Sequence, residues 1–145
     1  MNGDLPATAL RDAAVAARAA AYAPYSHFAV GAAVLDDQGR VHAGCNVENA
    51  AYPQGWCAEA SALAAMVLAG GRHVREVAVC ASGLVPVTPC GGCRQKLREF
   101  AGPHCTVWAL DAGGQPLGRF TLGELLPHSF GPDHLPPQAA RPSTP

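Results

Sequence analysis

Three cysteines and one glutamate carry the chemistry that this sequence could perform. Cys57-Ala58-Glu59 is followed further along the chain by Pro89-Cys90-Gly91-Gly92-Cys93. Thiolates hold zinc well, and a Cys-x-x-Cys pair at a helix start points both sulfurs the same way. A third thiolate from Cys57 would close three sides of a tetrahedron and leave the fourth open to water, whose pKa then falls towards neutrality. Glu59, in the first turn after Cys57, could take that proton and return it to a substrate. These residues alone leave three other readings open. Cys90 and Cys93 could be a redox pair, the thiols could be half of a structural zinc knuckle, and Glu59 could be a solvated carboxylate favoured by the helix dipole. A redox pair would leave Cys57 as an unexplained third thiol at another helix start. A knuckle wants a fourth ligand, and no second Cys-x-x-Cys or His-x-x-x-His pattern supplies one. A solvated carboxylate sits poorly in the first turn of an otherwise apolar helix.

Elements on either side must position these groups. Helix formers run from Leu5 to Tyr22, with Leu10, Ala13, Ala14 and Ala17 on one face, and Pro24 blocks continuation. Ala29 to Leu35 is apolar almost throughout, as suits a strand covered on both faces. The polar turn Asp36-Asp37-Gln38-Gly39 returns the chain as a second strand over Arg40 to Val47, which predicts an antiparallel hairpin. A loop from Glu48 to Trp56 delivers the chain to Cys57. The helix predicted from Ala58 to Ala69 is apolar on nearly every side and belongs in the interior, with Gly70-Gly71 closing it. Glu76 to Ser82 reads as a strand, Cys93 to Phe100 as a second cysteine-led helix, and Thr106 to Asp111 as another strand. That order calls for a parallel pair with a right-handed crossover. Pro116 to Phe120 follows a glycine turn, and Thr121 with Glu124 predicts a capping box for a short helix ending near Pro127. The expected fold class is α/β, three layers in the order α-β-α, with one mixed sheet of about five strands. The expected domain covers 1–130, and the Pro-rich stretch 131–145 is read as a mobile tail.

Composition narrows the partners. A chain of 145 residues is enough for one substantial core. The formal net charge is −1 and the basic residues are scattered singly, so nothing offers a stripe to follow a phosphate backbone. A long nucleic acid is not an expected partner. The longest apolar run, Ala62 to Gly71, is too short to span a bilayer, and Met1-Asn2-Gly3-Asp4 carries no basic stretch. These features lead to the expectation of a soluble, cytoplasmic protein in which Cys45, Cys80 and Cys105 stay reduced and packed.

Cys57-Ala58-Glu59 with Pro89-Cys90-Gly91-Gly92-Cys93-Arg94-Gln95 resembles the zinc signature of the cytidine deaminase family, in its three-cysteine, small-subunit form. Tyr25-Ser26, Phe28 and Val30-Gly31-Ala32-Ala33 are similar to one of the family's substrate segments, and Gly44-Cys45-Asn46-Val47-Glu48-Asn49-Ala50 to another. Leu125-Leu126-Pro127 with Phe130-Gly131-Pro132 is similar to its C-terminal segment. The resemblance implies that Cys57, Cys90 and Cys93 hold one Zn²⁺ per subunit and that Glu59 carries the proton. It implies that Asn46 and Glu48 bond the ribose hydroxyls, that Phe28 packs on the pyrimidine and that the Ala58 backbone holds the base. Tyr52 and Phe130 match positions that complete the sites of neighbouring subunits, which implies a homotetramer. The implied activity is hydrolysis of cytidine and 2′-deoxycytidine to the uridine nucleosides and ammonia, in pyrimidine salvage, without an organic cofactor. Two alternatives stand beside it. One is a deaminase of another aminated heterocycle, such as a blasticidin-type nucleoside; the other is a non-catalytic, zinc-stabilised interaction module.

One position departs from the pattern. Many members of that family follow the glutamate with arginine, and here the residue is Ala60. Three thiolates around Zn²⁺ leave a formal charge of about −1, which opposes ionisation of a bound water unless dipoles or cations offset it. The helix starts at Cys57 and Cys90 are one expected source, and Arg94 is the nearest cation by sequence.

Overall fold

The computed structural model describes residues 5–137. Its framework is a mixed five-stranded sheet in the order β2-β1-β3-β4-β5. The strand β1 (Val30–Asp36) pairs antiparallel with β2 (Val41–Cys45) on one side and with β3 (Val74–Ala81) on the other. β3 runs parallel to β4 (Thr106–Leu110), and β5 (Pro116–Thr121) closes the far edge antiparallel to β4. The parallel pair is joined through α3 (Gly91–Phe100), as the strand-helix-strand order requires.

Helices cover both faces. α1 (Thr8–Ala19) sets Leu10 and Ala14 against Ala33, Ala78, Cys80, Trp108 and Leu110. α2 (Ala58–Leu68) and α3 lie on the other face, where Ala62, Leu63, Met66 and Leu97 meet Val34, Val77, Val79 and Val107. The central strands are dry on both sides, which is why their sequences run apolar instead of alternating. Leu10, Met66 and Leu97 are fully buried, each stabilising the fold by roughly 1.5–3 kcal/mol.

Two local features place the site. α2 crosses β2 at Gly44, where a Cβ would overlap the Ala62 nitrogen and the Ser61 side chain, so only glycine permits this approach. Ser61 Oγ then donates to the Cys45 carbonyl at 3.0 Å, fixing the first turns of α2 beside the end of β2. α1 is shorter than its composition suggests, because Tyr22 leaves the helix to pair with the segment after β2. Tyr22 N–H donates to Asn46 O at 3.0 Å, and Glu48 N–H to Tyr22 O at 2.8 Å.

The predicted capping box is present on α4 (Leu122–Leu125). Glu124 N–H donates to Thr121 Oγ1 at 3.2 Å and Thr121 N–H to Glu124 Oε2 at 2.7 Å. Beyond it, Pro132–His134 forms a 3₁₀ turn against α3. Residues 138–145, the remainder of the stretch read as a tail, lie outside the described residues. Among the described residues no helix is long and apolar enough to cross a membrane.

Candidate active site

Cys57 and Cys90 occupy the N-cap positions of α2 and α3, and Cys93 lies buried in the first turn of α3. The two helix starts converge, so that the three sulfurs lie within 4.8 Å of one another. Cys57 Sγ and Cys90 Sγ are 3.8 Å apart, and two sulfurs on a tetrahedral zinc with bonds of about 2.3 Å stand roughly that far apart. The charges suit a dication as well. Although desolvation opposes it, the Cys90 thiol is drawn below its ordinary value by the Cys93 N–H and by the neighbouring sulfurs. Burial raises Cys57, and burial with the negative charge of Glu59, Cys57 and Cys90 pushes Cys93 far up. Three thiolates cannot coexist here without a cation among them. Two helix N-termini aimed at the cluster supply further positive potential.

Glu59, in the first turn of α2, is only 5% exposed. Burial raises its carboxyl above the ordinary value, and the opposing pull of its own N–H, the Cys93 thiol and the charge of Lys96 does not overcome it. A carboxyl left this poorly solvated exchanges its proton closer to neutral pH, as an acid-base group must. It faces a small cavity of about 170 Å³ lined by Val30, Asn46, Cys57, Ala58, Glu59, Val87, Thr88 and Cys90.

A second cavity, of about 410 Å³, shares Asn46 and Cys57 with the first and adds Tyr25, Ser26, Glu48, Tyr52 and Trp56. Glu48 is prepared in advance. Its Oε1 accepts the N–H groups of Tyr25 at 2.9 Å and Ser26 at 3.0 Å, and its Oε2 accepts the Ser26 hydroxyl. The Ser26 hydroxyl is the largest of the influences that hold this carboxyl below its usual value. A carboxylate has about four lone-pair positions, so one remains free for a ligand hydroxyl. Asn46 accepts from Val30 N–H at 2.9 Å and donates to Phe28 O at 2.8 Å, leaving one N–H and one lone pair. Both residues thus brace the 25–30 segment and keep capacity for a ligand.

The other expected site residues differ in where they lie. Ala58 is buried and lines the cavity of Glu59. Phe28 lines neither cavity; its side chain is exposed, and its backbone is engaged by an N–H donated to Ser26 Oγ at 3.0 Å and a carbonyl that accepts from Asn46. Tyr52 is 75% exposed and lies 5.7 Å from Tyr25 between ring centroids, and Phe130 is also exposed, against α3. Arg94, expected as a cation beside the thiolates, has its guanidinium turned elsewhere. It donates to Pro89 O at 2.7 Å, Leu125 O at 2.7 Å and Thr88 Oγ1 at 2.9 Å, and so braces the loop that carries Cys90. Sequence reasoning placed Ser26 and Val30 in a segment similar to one of the family's substrate segments but gave no role to Ser26 in fixing Glu48 or to Val30 as a wall of the inner cavity, and it missed Val87 and Thr88 there. Val87-Thr88 precede Pro89-Cys90 directly, a proximity that could have revealed them.

Residues 7–109 match the family model described as the cytidine and deoxycytidylate deaminase zinc-binding region. The chain belongs to the cytidine and deoxycytidylate deaminase family. It is 45% identical over 128 residues to the cytidine deaminase of Mycobacterium tuberculosis (strain CDC 1551 / Oshkosh), covering 88% of this chain and 91% of that one. It is 41% identical over 119 residues to the cytidine deaminase of Sporosarcina psychrophila, covering 82% and 87%. The crystal structure of cytidine deaminase from Burkholderia pseudomallei superposes with a TM-score of 0.80 at 42% identity, covering 87% of this chain and all of that one. The family's zinc-binding region thus contains the three clustered thiols.

Proposed function

We propose that the chain catalyses hydrolytic deamination of cytidine and 2′-deoxycytidine to the uridine nucleosides and ammonia, with one Zn²⁺ per subunit held by Cys57, Cys90 and Cys93. One observation carries this reading. A compartment lined by Cys57, Cys90 and the buried carboxyl of Glu59, the two sulfurs clustered with that of Cys93, adjoins at Asn46 and Cys57 one containing an ionised carboxylate. When bound, zinc supplies a Lewis acid that brings water to ionisation near neutral pH.

The chain's own groups do the rest. Glu59 takes a proton from water and gives it to N3 of the cytosine ring, which makes C4 receptive to the water oxygen. Glu59 then takes the second proton from that oxygen and passes it to the 4-amino nitrogen. The C4–N bond breaks, ammonia leaves, and the C4–O bond remains as the uracil carbonyl. The backbone of Ala58 holds the edge of the base. Val30, Val87 and Thr88 wall the ring and keep bulk water out. Glu48 and Asn46 fix the ribose hydroxyls with their remaining hydrogen-bonding capacity. The sugar compartment carries the charge of Glu48 and no Lys or Arg among its lining residues. A 5′-phosphate would meet repulsion there, so the substrate is a nucleoside and not its nucleotide.

A homotetramer completes the reading. An apolar groove between α2 and α3, lined by Trp56, Ala60, Leu63, Val67 and Phe100 among others, is uncovered in one chain, and subunits packed there would bring Tyr52 and Phe130 to neighbouring sites. Such a protein would serve pyrimidine salvage in the cytoplasm. The decisive experiment follows the ultraviolet absorbance of cytidine and deoxycytidine with zinc-loaded protein beside Glu59→Gln. Loss of cytosine absorbance with the wild type alone is expected. No loss with the zinc-loaded wild type would overturn the reading. Light scattering is expected to give four times the 14.9 kDa of one chain.

A further inference from the structure

Phe130 is gripped on both sides and left bare in the middle. Gln95 Nε2 donates to the Phe130 carbonyl at 2.9 Å. Arg98 Nε donates to Ser129 Oγ at 2.9 Å and Arg98 Nη2 to Asp133 Oδ1 at 2.7 Å. Gln95 and Arg98 stand three residues apart on α3, so both side chains face the same strip of surface. Gly131 lies directly against the guanidinium, where any Cβ would overlap the carbon at its centre. His134 then stacks on the Phe130 ring at 5.2 Å and 21°, and accepts the Gly131 N–H at 3.1 Å. The ring itself remains 58% exposed.

An unrestrained phenyl group in water would fold onto the nearest apolar surface. This one has a single ring partner, His134, among the contacts described, and is otherwise held in place through its own carbonyl and through Ser129, Gly131 and Asp133. An isolated exposed ion pair would do little. A planar guanidinium bonding two side chains on either side of the ring, with a glycine pressed against it, fixes a geometry that lysine could not.

We propose that Arg98 is a positioning residue for the reaction: by clasping Ser129 and Asp133 to α3 it presents the Phe130 ring to the substrate pocket of a neighbouring subunit. The inference rests on the shared-site reading given above. Its energetic content is preorganisation. Ordering the strap in the free protein removes an entropy cost from substrate binding, so Arg98 acts on KM more than on kcat.

Steady-state kinetics on cytidine at matched zinc content test this with Arg98→Met, Arg98→Lys, Phe130→Ala and the Arg98→Met/Phe130→Ala double variant. Arg98→Met is expected to raise KM by about tenfold with kcat changed less than about twofold, and Arg98→Lys to recover little of the loss. The double variant is expected to be no worse than Phe130→Ala alone, because both changes remove one effect. A wild-type KM for Arg98→Met, when Phe130→Ala raises it, overturns the clasp, and so does additivity in the double variant. A wild-type KM for Phe130→Ala overturns the reading beneath it. Should Arg98→Met fail to fold, the Ser129→Ala/Asp133→Ala variant removes both acceptors without altering α3, and the same KM rise is expected. Mixed oligomers of Arg98→Met and Glu59→Gln subunits give the last readout. Active sites on Arg98→Met subunits then receive intact straps from their partners, and a fraction of the activity returns to the wild-type KM; no such fraction overturns presentation across subunits.

Discussion

Among the described residues, two charged side chains are buried, Asp36 and Glu59, and they stand at opposite ends of α2. Asp36 is saturated with donors. Its Oδ1 accepts Gln38 N–H at 3.0 Å and Arg40 N–H at 2.8 Å, and its Oδ2 meets Arg40 Nε at 2.8 Å and His42 Nε2 at 2.9 Å. Arg40 goes on to bond the Ala69 carbonyl at 3.0 Å, where α2 ends. Glu59 is drawn down only weakly, by its own N–H, the Cys93 thiol and the charge of Lys96. Desolvation pushes both carboxyls upward. At Asp36 the bonds from His42 and Arg40 prevail and hold it well below the usual carboxylate range, whereas at Glu59 nothing comparable opposes burial. A buried carboxylate with every lone pair matched holds structure together; one left short of donors is free to trade its proton.

The two should therefore respond oppositely to removal of charge. Glu59→Gln is expected to lower kcat by a factor on the order of 10²–10⁴ while thermal stability is kept or improved, since a neutral amide is easier to bury. Asp36→Asn is expected to lower the midpoint of thermal unfolding by roughly 5 °C or more with kcat per folded molecule unchanged. A fall in kcat for Asp36→Asn at unchanged stability would break the contrast. Acid titration of stability sharpens it. The folded-state pKa of Asp36 is depressed, so its contribution is complete above the ordinary aspartate value of about 3.9 and is lost as pH falls below it. The gap between wild type and Asp36→Asn should narrow on acidification in that range. Glu59 is raised instead, so in zinc-free protein the wild type should lose stability relative to Glu59→Gln as pH rises above about 4.3.

Glu48 lies between the two cases, since donors hold it ionised but one lone pair is open. Glu48→Gln is expected to raise KM for cytidine by about tenfold, the worth of one charge-assisted hydrogen bond, with a smaller change in kcat. The smallest effect is expected at Arg94, whose guanidinium bonds two carbonyls and a hydroxyl and not thiolates. Arg94→Met should speed zinc release to a chelator by a few-fold and leave the pH dependence of the rate where it was; a shifted profile would restore Arg94 as a cation acting on the thiolates.

The sheet was legible in the sequence because its signals are local. Polar turns separate β1 from β2 and β4 from β5, and Thr121 with Glu124 marks the start of α4 unaided. The early end of α1 was not legible, since it is set by pairing of Tyr22 with Asn46 and Glu48, partners distant in sequence. Arg94 shows the same limit. Its closeness to Cys93 along the chain suggested electrostatics on the thiolates, but a long flexible side chain goes to whichever unpaired acceptors the fold provides, and Pro89, Leu125 and Thr88 provide them. The stretch from Gly131 reads as a tail because it lacks core formers, and its contacts with α3 come from polar groups that hydrophobic patterning cannot detect.

By itself the sequence singled out Cys57, Cys90 and Cys93 as candidate zinc donors with Glu59 beside them, and determined the α/β class and the mixed sheet, because thiol spacing, helix starts and apolar runs are properties of short segments. Tertiary structure alone decided that two helix N-termini meet so that three sulfurs converge, that Glu59 is deprived of donors while Asp36 is surrounded by them, and that Arg98 reaches Ser129 and Asp133. The reason is physical. Burial and hydrogen-bond satisfaction depend on which remote groups arrive at a point in space, and no local pattern carries that information.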